Sequence, residues 1–132
     1  MSRWYPHDKV KYLVTQVGKP IRGIPTSELW DDSKFYDGKK NFGMSGITFS
    51  RKKINFSKEL IESDNHKLQA SIIYHELVHV AQQKKMGWMN FMATYLGQWM
   101  RAGCRYENMM EKGLENEAYG KQEMFDDKIR YL

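Results

Sequence analysis

From Ser63-Asp64-Asn65 to Gly87 the chain carries neither glycine nor proline. The three opening residues are types whose side-chain oxygens cap a helix N-terminus, and glycine is a type that ends one. Between them, Leu68, Ala70, Ile72, Ile73, Leu77, Val78, Val80 and Ala81 cover most of a helical circumference rather than one stripe. A helix that is apolar nearly all round has to be buried, so the rest of the chain must wrap it. This one element narrows the possible folds to those built around a central helix.

The chain has 132 residues, a single-domain length, and one domain over residues 1–132 is expected. Hydrophobic residues at 41% against charged residues at 28% exclude a disordered tail. No apolar run approaches the ~20 residues of a membrane span, and the opening Met-Ser-Arg-Trp-Tyr-Pro-His-Asp holds no apolar stretch of a secretory signal. Cys104 is the one cysteine, which rules out an internal disulfide and fits a reducing compartment. Cytoplasmic residence, or a virus particle assembled in the cytoplasm, is therefore expected. The net charge of +5 is uneven: residues 1–60 contribute +6 and residues 61–132 contribute −1. The basic excess clusters at Lys39-Lys40 and Arg51-Lys52-Lys53 without a nucleic-acid-binding signature, and it reads as solvated loop and turn.

Around the central helix the chain offers short elements. After Pro6, Val10, Leu13, Val14 and Val17 give a helix over residues 7–17. Residues 18–46, punctuated by glycine and proline, read as loop with at most short elements, such as a single helical turn at Thr26 to Trp30. That loop should pack on the core through Ile24, Leu29, Trp30, Phe35 and Tyr36. Residues 46–50 and 53–56 alternate as a β-hairpin, with Ile47, Phe49, Ile54 and Phe56 available for one face. Residues 88–102 give a second helix whose Met89, Met92, Leu96, Trp99 and Met100 lie on one side, a stripe expected to complete the core. A short helix over 105–112 and a terminal helix carrying Leu114, Ala118, Phe125 and Ile129 follow. The expected class is α+β, mostly helical, with a small hairpin or sheet packed on the buried helix.

Within that helix stands Tyr74-His75-Glu76-Leu77-Val78-His79. Residues four apart project from one helical face, so both imidazoles can reach one metal ion at roughly 2.0–2.1 Å. Glu76 lies about 100° around the helix, beside such an ion rather than on it. A carboxylate there can take a proton from metal-activated water and return it to a leaving amine. Two histidines and a glutamate buried without partners would cost several kcal/mol, and a shared ion removes that cost. This is the His-Glu-x-x-His pattern of zinc metallopeptidases, here in the helical context it requires. A third ligand is needed. His66 is too far along the same helix, His7 opens another helix, and Cys104 after a helix end reads as packing. Glu115 and Glu117 flank the apolar stripe of the terminal helix on opposite sides, and geometry leaves both open.

His75-Glu76-Leu77-Val78-His79-Val80-Ala81-Gln82-Gln83, an aromatic helix, then Glu115-Asn116-Glu117-Ala118-Tyr119 resembles the gluzincin branch of the zincin metallopeptidases. More narrowly it resembles minimal zincin domains of bacteria and their phages, over roughly residues 45–125. The resemblance implies a zincin-like fold and one Zn2+ held by His75, His79 and Glu115, with Glu117 the rival ligand. It implies peptide hydrolysis with Glu76 as general base and then acid. Tyr119 would hydrogen-bond a ligand histidine, where gluzincins commonly place Asp. One of Tyr74, Tyr95, Tyr106 or Tyr119 would stabilise the oxyanion. An extended peptide or protein substrate would pair with the strand at the cleft edge, Ile47 to Phe49 or Lys53 to Phe56, and the basic turn at 51–53 would favour acidic peptides. The alternative is a zincin-fold structural or interaction protein of a phage particle or injection-type assembly, catalytically weak or inactive, with protein assembly partners. Neither reading involves a membrane or nucleic acid.

Overall fold

The computed structural model describes residues 2–39, 46–50, 53–103 and 113–132, with the backbone alone for 47–50. At its centre is α4, His66–Met86. Asn65 caps it by accepting from the Leu68 amide at 3.0 Å, and Gly87, with φ of +83°, ends it. Buried Gln69 near its start donates to the carbonyls of Leu60 and Ser63, both at 2.9 Å, which ties the preceding loop to the helix.

Three layers of chain enclose α4. On one side α1, Asp8–Tyr12, is capped by the His7 imidazole and runs on as one π-helical stretch through Leu13–Val17. Its Val10, Leu13 and Val14 are buried with Leu29 and Trp30 of α2, Thr26–Asp32. On another side lie β1, Lys34–Asp37; β2, Gly46–Ser50; and β3, Lys53–Phe56, which leads through Ser57 into α3, Lys58–Ile61. Against the remaining flank pack α5, Trp88–Arg101, and α6, Gly113–Ile129. The α6 stripe of Leu114, Ala118, Phe125 and Ile129 is buried as its spacing predicts, with Phe125 stacked on Tyr74 at 4.5 Å between ring centroids. The chain is α+β and mostly helical. Among the described residues no helix is long and apolar enough to cross a membrane.

The hairpin is present, with β2 antiparallel to β3 and a bulge between Thr48 and Ser50. The described strands nevertheless form a sheet of three, in the order β1-β3-β2, because Lys34–Asp37 pairs parallel with Lys53–Phe56. The short elements within the stretch read mainly as loop are therefore α2, where the helical turn is expected, and a strand the sequence did not single out. Four residues without alternation carry no strand signal of their own, and a parallel partner nineteen positions away supplies the order. Central placement buries Ile54, Asn55 and Phe56 in succession rather than on one face. It also removes Lys53 to Phe56 as a cleft edge. The outer side of β1 bonds residues 2–4, through Trp4 N–H to the Phe35 carbonyl and Asp37 N–H to the Ser2 carbonyl, both 2.8 Å. β2 is the other edge.

α5 corrects a second expectation. Of its fourteen described residues, Phe91 alone is buried. Met89, Leu96 and Met100 are 78%, 53% and 63% exposed, so the apolar stripe faces outward instead of completing the core. The helix turns Phe91 and Tyr95 toward His79. The core is already filled by α1, α2, β3 and α6. Cys104, Tyr106, the helix expected over 105–112, Arg51, Lys52 and the side chains of Ile47 and Phe49 lie outside the described residues.

Candidate metal centre

The i, i+4 spacing on α4 sets His75 and His79 on one buried face, and the first turn of α6 brings buried Glu115 against both rings. Glu115 Oε1 lies 3.2 Å from His75 Nε2 and 2.9 Å from His79 Nε2. Glu76, also buried, places Oε2 3.9 Å from His75 Nε2. The start of α6 is fixed by α5: Gln98 Oε1 accepts from the Leu114 amide at 2.9 Å. Gly113 has φ of +74°, and a Cβ there would run into the Gln98 carboxamide. Sequence leaves Glu115 and Glu117 open, whereas tertiary structure separates them. Glu117 is bound by Arg22, with Nη2 2.7 Å from Oε1, whereas Glu115 joins His75 and His79 in the cluster of donor atoms.

Each ring has an outer acceptor. His75 Nδ1 is 2.8 Å from Gln122 Oε1, and Gln122 Nε2 donates to Ser71 Oγ at 2.8 Å. His79 Nδ1 is 2.8 Å from Gln82 Oε1, and Gln82 Nε2 donates to the Leu114 carbonyl and to Glu117, both at 3.0 Å. Both amide protons of Gln82 go to acceptors, so its oxygen turns to His79 and the proton of that ring sits on Nδ1; Gln122 likewise presents its oxygen to His75 Nδ1. That leaves Nε2 of each ring as the nitrogen aimed at Glu115. A neutral imidazole has one N–H, yet each ring here faces acceptors at both nitrogens. A second proton on a ring, or a cation shared by the three residues, would satisfy those acceptors.

Burial works against a charged His79, but Glu115 and Glu76 outweigh it and raise its pKa to about 9. Burial likewise disfavours ionised Glu115, yet hydrogen bonds from His75, His79 and Tyr95 hold its carboxyl far below the usual range. Donor atoms of His75, His79 and Glu115 all lie within 4.8 Å of one another. Ligands of a tetrahedral ion at roughly 2.0–2.1 Å stand about 3.3 Å apart, close to the 3.2 and 2.9 Å that separate Glu115 Oε1 from the two rings. The three residues can hold a metal ion. Tyr95 donates to Glu115 Oε2 at 2.7 Å, which leaves Oε1 as the ligating oxygen. Burial first, and the adjacent carboxylate second, push the Tyr95 pKa far up, so it remains a donor.

Tyr119 sets its ring edge to face on His75 at 4.5 Å, while the oxygen on His75 Nδ1 belongs to Gln122. Tyr74 turns its hydroxyl away, to the Lys19 carbonyl at 3.0 Å. His7 and His66 stack on each other at 4.5 Å between centroids. Sequence reasoning passed over Gln82 and Gln122, although their positions were informative. Gln82 follows His79 by three residues and Gln122 follows Glu115 by seven, each on its ligand's helical face. At the mouth of the site β2 passes close to α4. A Cβ on Gly46 would lie 3.0 Å from Glu76 Cγ, so glycine there permits the strand to approach the carboxylate.

Comparison with protein-family models, with curated proteins and with solved structures finds no match to this chain.

Proposed function

We propose that the chain is a zinc-dependent metallopeptidase built on a minimal zincin-like fold, hydrolysing peptide bonds of a peptide or protein substrate. The observation that carries this reading is the convergence of His75, His79 and Glu115 in a buried pocket with Glu76 at its margin. Two imidazoles and one carboxylate form a donor set suited to one catalytic Zn2+ with a fourth position open. Zinc bound there would supply Lewis acidity and water acidified toward neutral pH. Glu76 accepts the proton of the attacking water and delivers it to the leaving nitrogen. Tyr95 and the two glutamines keep the donor atoms aimed inward. Edge strand β2 offers backbone groups to an extended substrate, and Gly46 lets that strand run beside Glu76. The lone Cys104 fits a reducing setting, the cytoplasm or a virus particle assembled in it.

Metal analysis of the purified protein together with digestion of a degenerate peptide library tests this reading. Wild type should hold stoichiometric zinc and cleave; Glu76→Gln should keep the zinc and lose cleavage by roughly 100-fold or more. Absence of zinc, or cleavage equal in both proteins, rejects it. A second reading, a zincin-fold interaction protein of a phage particle or injection-type assembly, is favoured by the exposed apolar face of α5. Stoichiometric zinc with no cleavage by wild type would select it.

A further inference from the structure

Arg22 and Gly23 form a two-residue turn closed by reciprocal backbone hydrogen bonds between Ile21 and Ile24, 2.9 Å in each direction. Both turn residues have positive φ, +50° at Arg22 and +79° at Gly23. Such turns favour Asn-Gly or Gly-Gly, because a side chain with Cβ is strained in the left-handed region. An arginine in the first position breaks this local preference, and such breaks persist where another interaction offsets them. The side chain identifies that interaction. Arg22 Nε lies 3.1 Å from both carboxylate oxygens of Glu117, and Nη2 lies 2.7 Å from Oε1. Glu117 Oε1 accepts from Gln82 Nε2 at 3.0 Å, and Gln82 Oε1 faces His79 Nδ1 at 2.8 Å. Gln82 is fully buried.

Resting on the zinc reading above, we infer that Arg22 is a positioning residue for the metal centre, acting on His79 through Glu117 and Gln82. A carboxamide turned by half a rotation would present N–H to the ring and oppose the Nδ1 proton. Ionised Glu117 can only accept, so together with the Leu114 carbonyl it draws both amide protons of Gln82 and turns its oxygen to His79. The Nδ1 proton is thereby fixed, and Nε2 keeps its lone pair for the ion. Arg22 holds Glu117 in this place with a forked, charge-assisted grip that lysine cannot reproduce. The same grip keeps the rival carboxylate out of the metal pocket. His75 has its own support, Gln122 with Ser71, and so serves as an internal reference.

The test uses the 15N-labelled full chain as wild type, Arg22→Gly, Arg22→Lys and Glu117→Gln. Histidine side-chain 15N spectra are recorded without metal, and zinc affinity is measured by chelator competition. Arg22→Gly suits the left-handed backbone, so the turn should keep its shape while the guanidinium is lost. It should move the His79 Nδ1 resonance, leave His75 in place and weaken zinc binding roughly tenfold or more. Arg22→Lys should fall between this variant and wild type, and Glu117→Gln should match Arg22→Gly. Unmoved His79 with wild-type affinity overturns the inference. Equal displacement of both rings with a lowered melting temperature also overturns it, since that marks a purely structural role. Should wild type bind no zinc, the peptidase reading fails. The metal-free His79 signal then decides the inference separately, a selective shift supporting the connection and none rejecting it.

Discussion

Glu115 and Glu117 are two positions apart on α6, and the side chains they meet give them opposite roles. Glu115 turns into two imidazoles and a phenol, whereas Glu117 turns to a guanidinium. Tyr95 is the neighbour that decides which Glu115 oxygen faces the rings. Replacing it in Tyr95→Phe removes one hydrogen bond to a buried carboxylate, worth about 1.5–3 kcal/mol where an ionised partner is involved. Zinc affinity by chelator competition should fall roughly tenfold, with the fold retained by circular dichroism. His79 and Glu115 also make the metal-free protein pH-sensitive. Raised from 6.5 to about 9, His79 contributes stability that is fully present below pH 6.5 and lost as pH rises through about 9. Glu115, held below its ordinary 4.5, contributes stability that is present above that pH and lost as pH falls below it. Thermal melts of chelator-treated protein should therefore peak between about pH 4.5 and 6.5. Saturating zinc should flatten the alkaline limb, because the ion replaces the His79 Nε2 proton.

Among the elements, α6 depends most on a single residue at its start. Gly113 supplies a left-handed backbone and leaves room for Gln98, which caps the Leu114 amide one residue before Glu115. Gly113→Ala strains the backbone and displaces that cap, at a cost of about 1–3 kcal/mol. The melting temperature should drop, and zinc should bind more weakly because the helix start carries Glu115. α4 shows the opposite behaviour. Its bounds, its burial and its two histidines were all readable because capping residues and i, i+4 spacing are local properties. β1 was unreadable for the complementary reason: four residues become a strand here by pairing with Lys53–Phe56. Sequence alternation did find β2 and β3, but it did not reveal that β3 lies between two partners.

For the molecule as a whole, α5 decides between a closed core and an open surface. Its apolar spacing fitted a core helix equally well, since periodicity reports that one side is apolar and not what covers it. With its stripe outward, Met89→Gln and Met100→Gln should each change unfolding free energy by no more than about 0.5 kcal/mol. Truncations of a filled core would cost about 2–5 kcal/mol, so chemical denaturation of these two variants distinguishes the arrangements.

By itself the sequence determined the central helix, the hairpin, the terminal stripe and the pair His75 and His79 with Glu76 beside them. Each follows from caps and periodicities spanning a few residues. Tertiary structure separated Glu115 from Glu117, which helical spacing left open, and it alone decided that Gln122 and Gln82 hold the outer ring nitrogens and that Arg22 answers Glu117 across ninety-five positions. Those choices depend on which helical faces come together when buried polar groups must all be satisfied at once, and no short stretch of chain contains that condition.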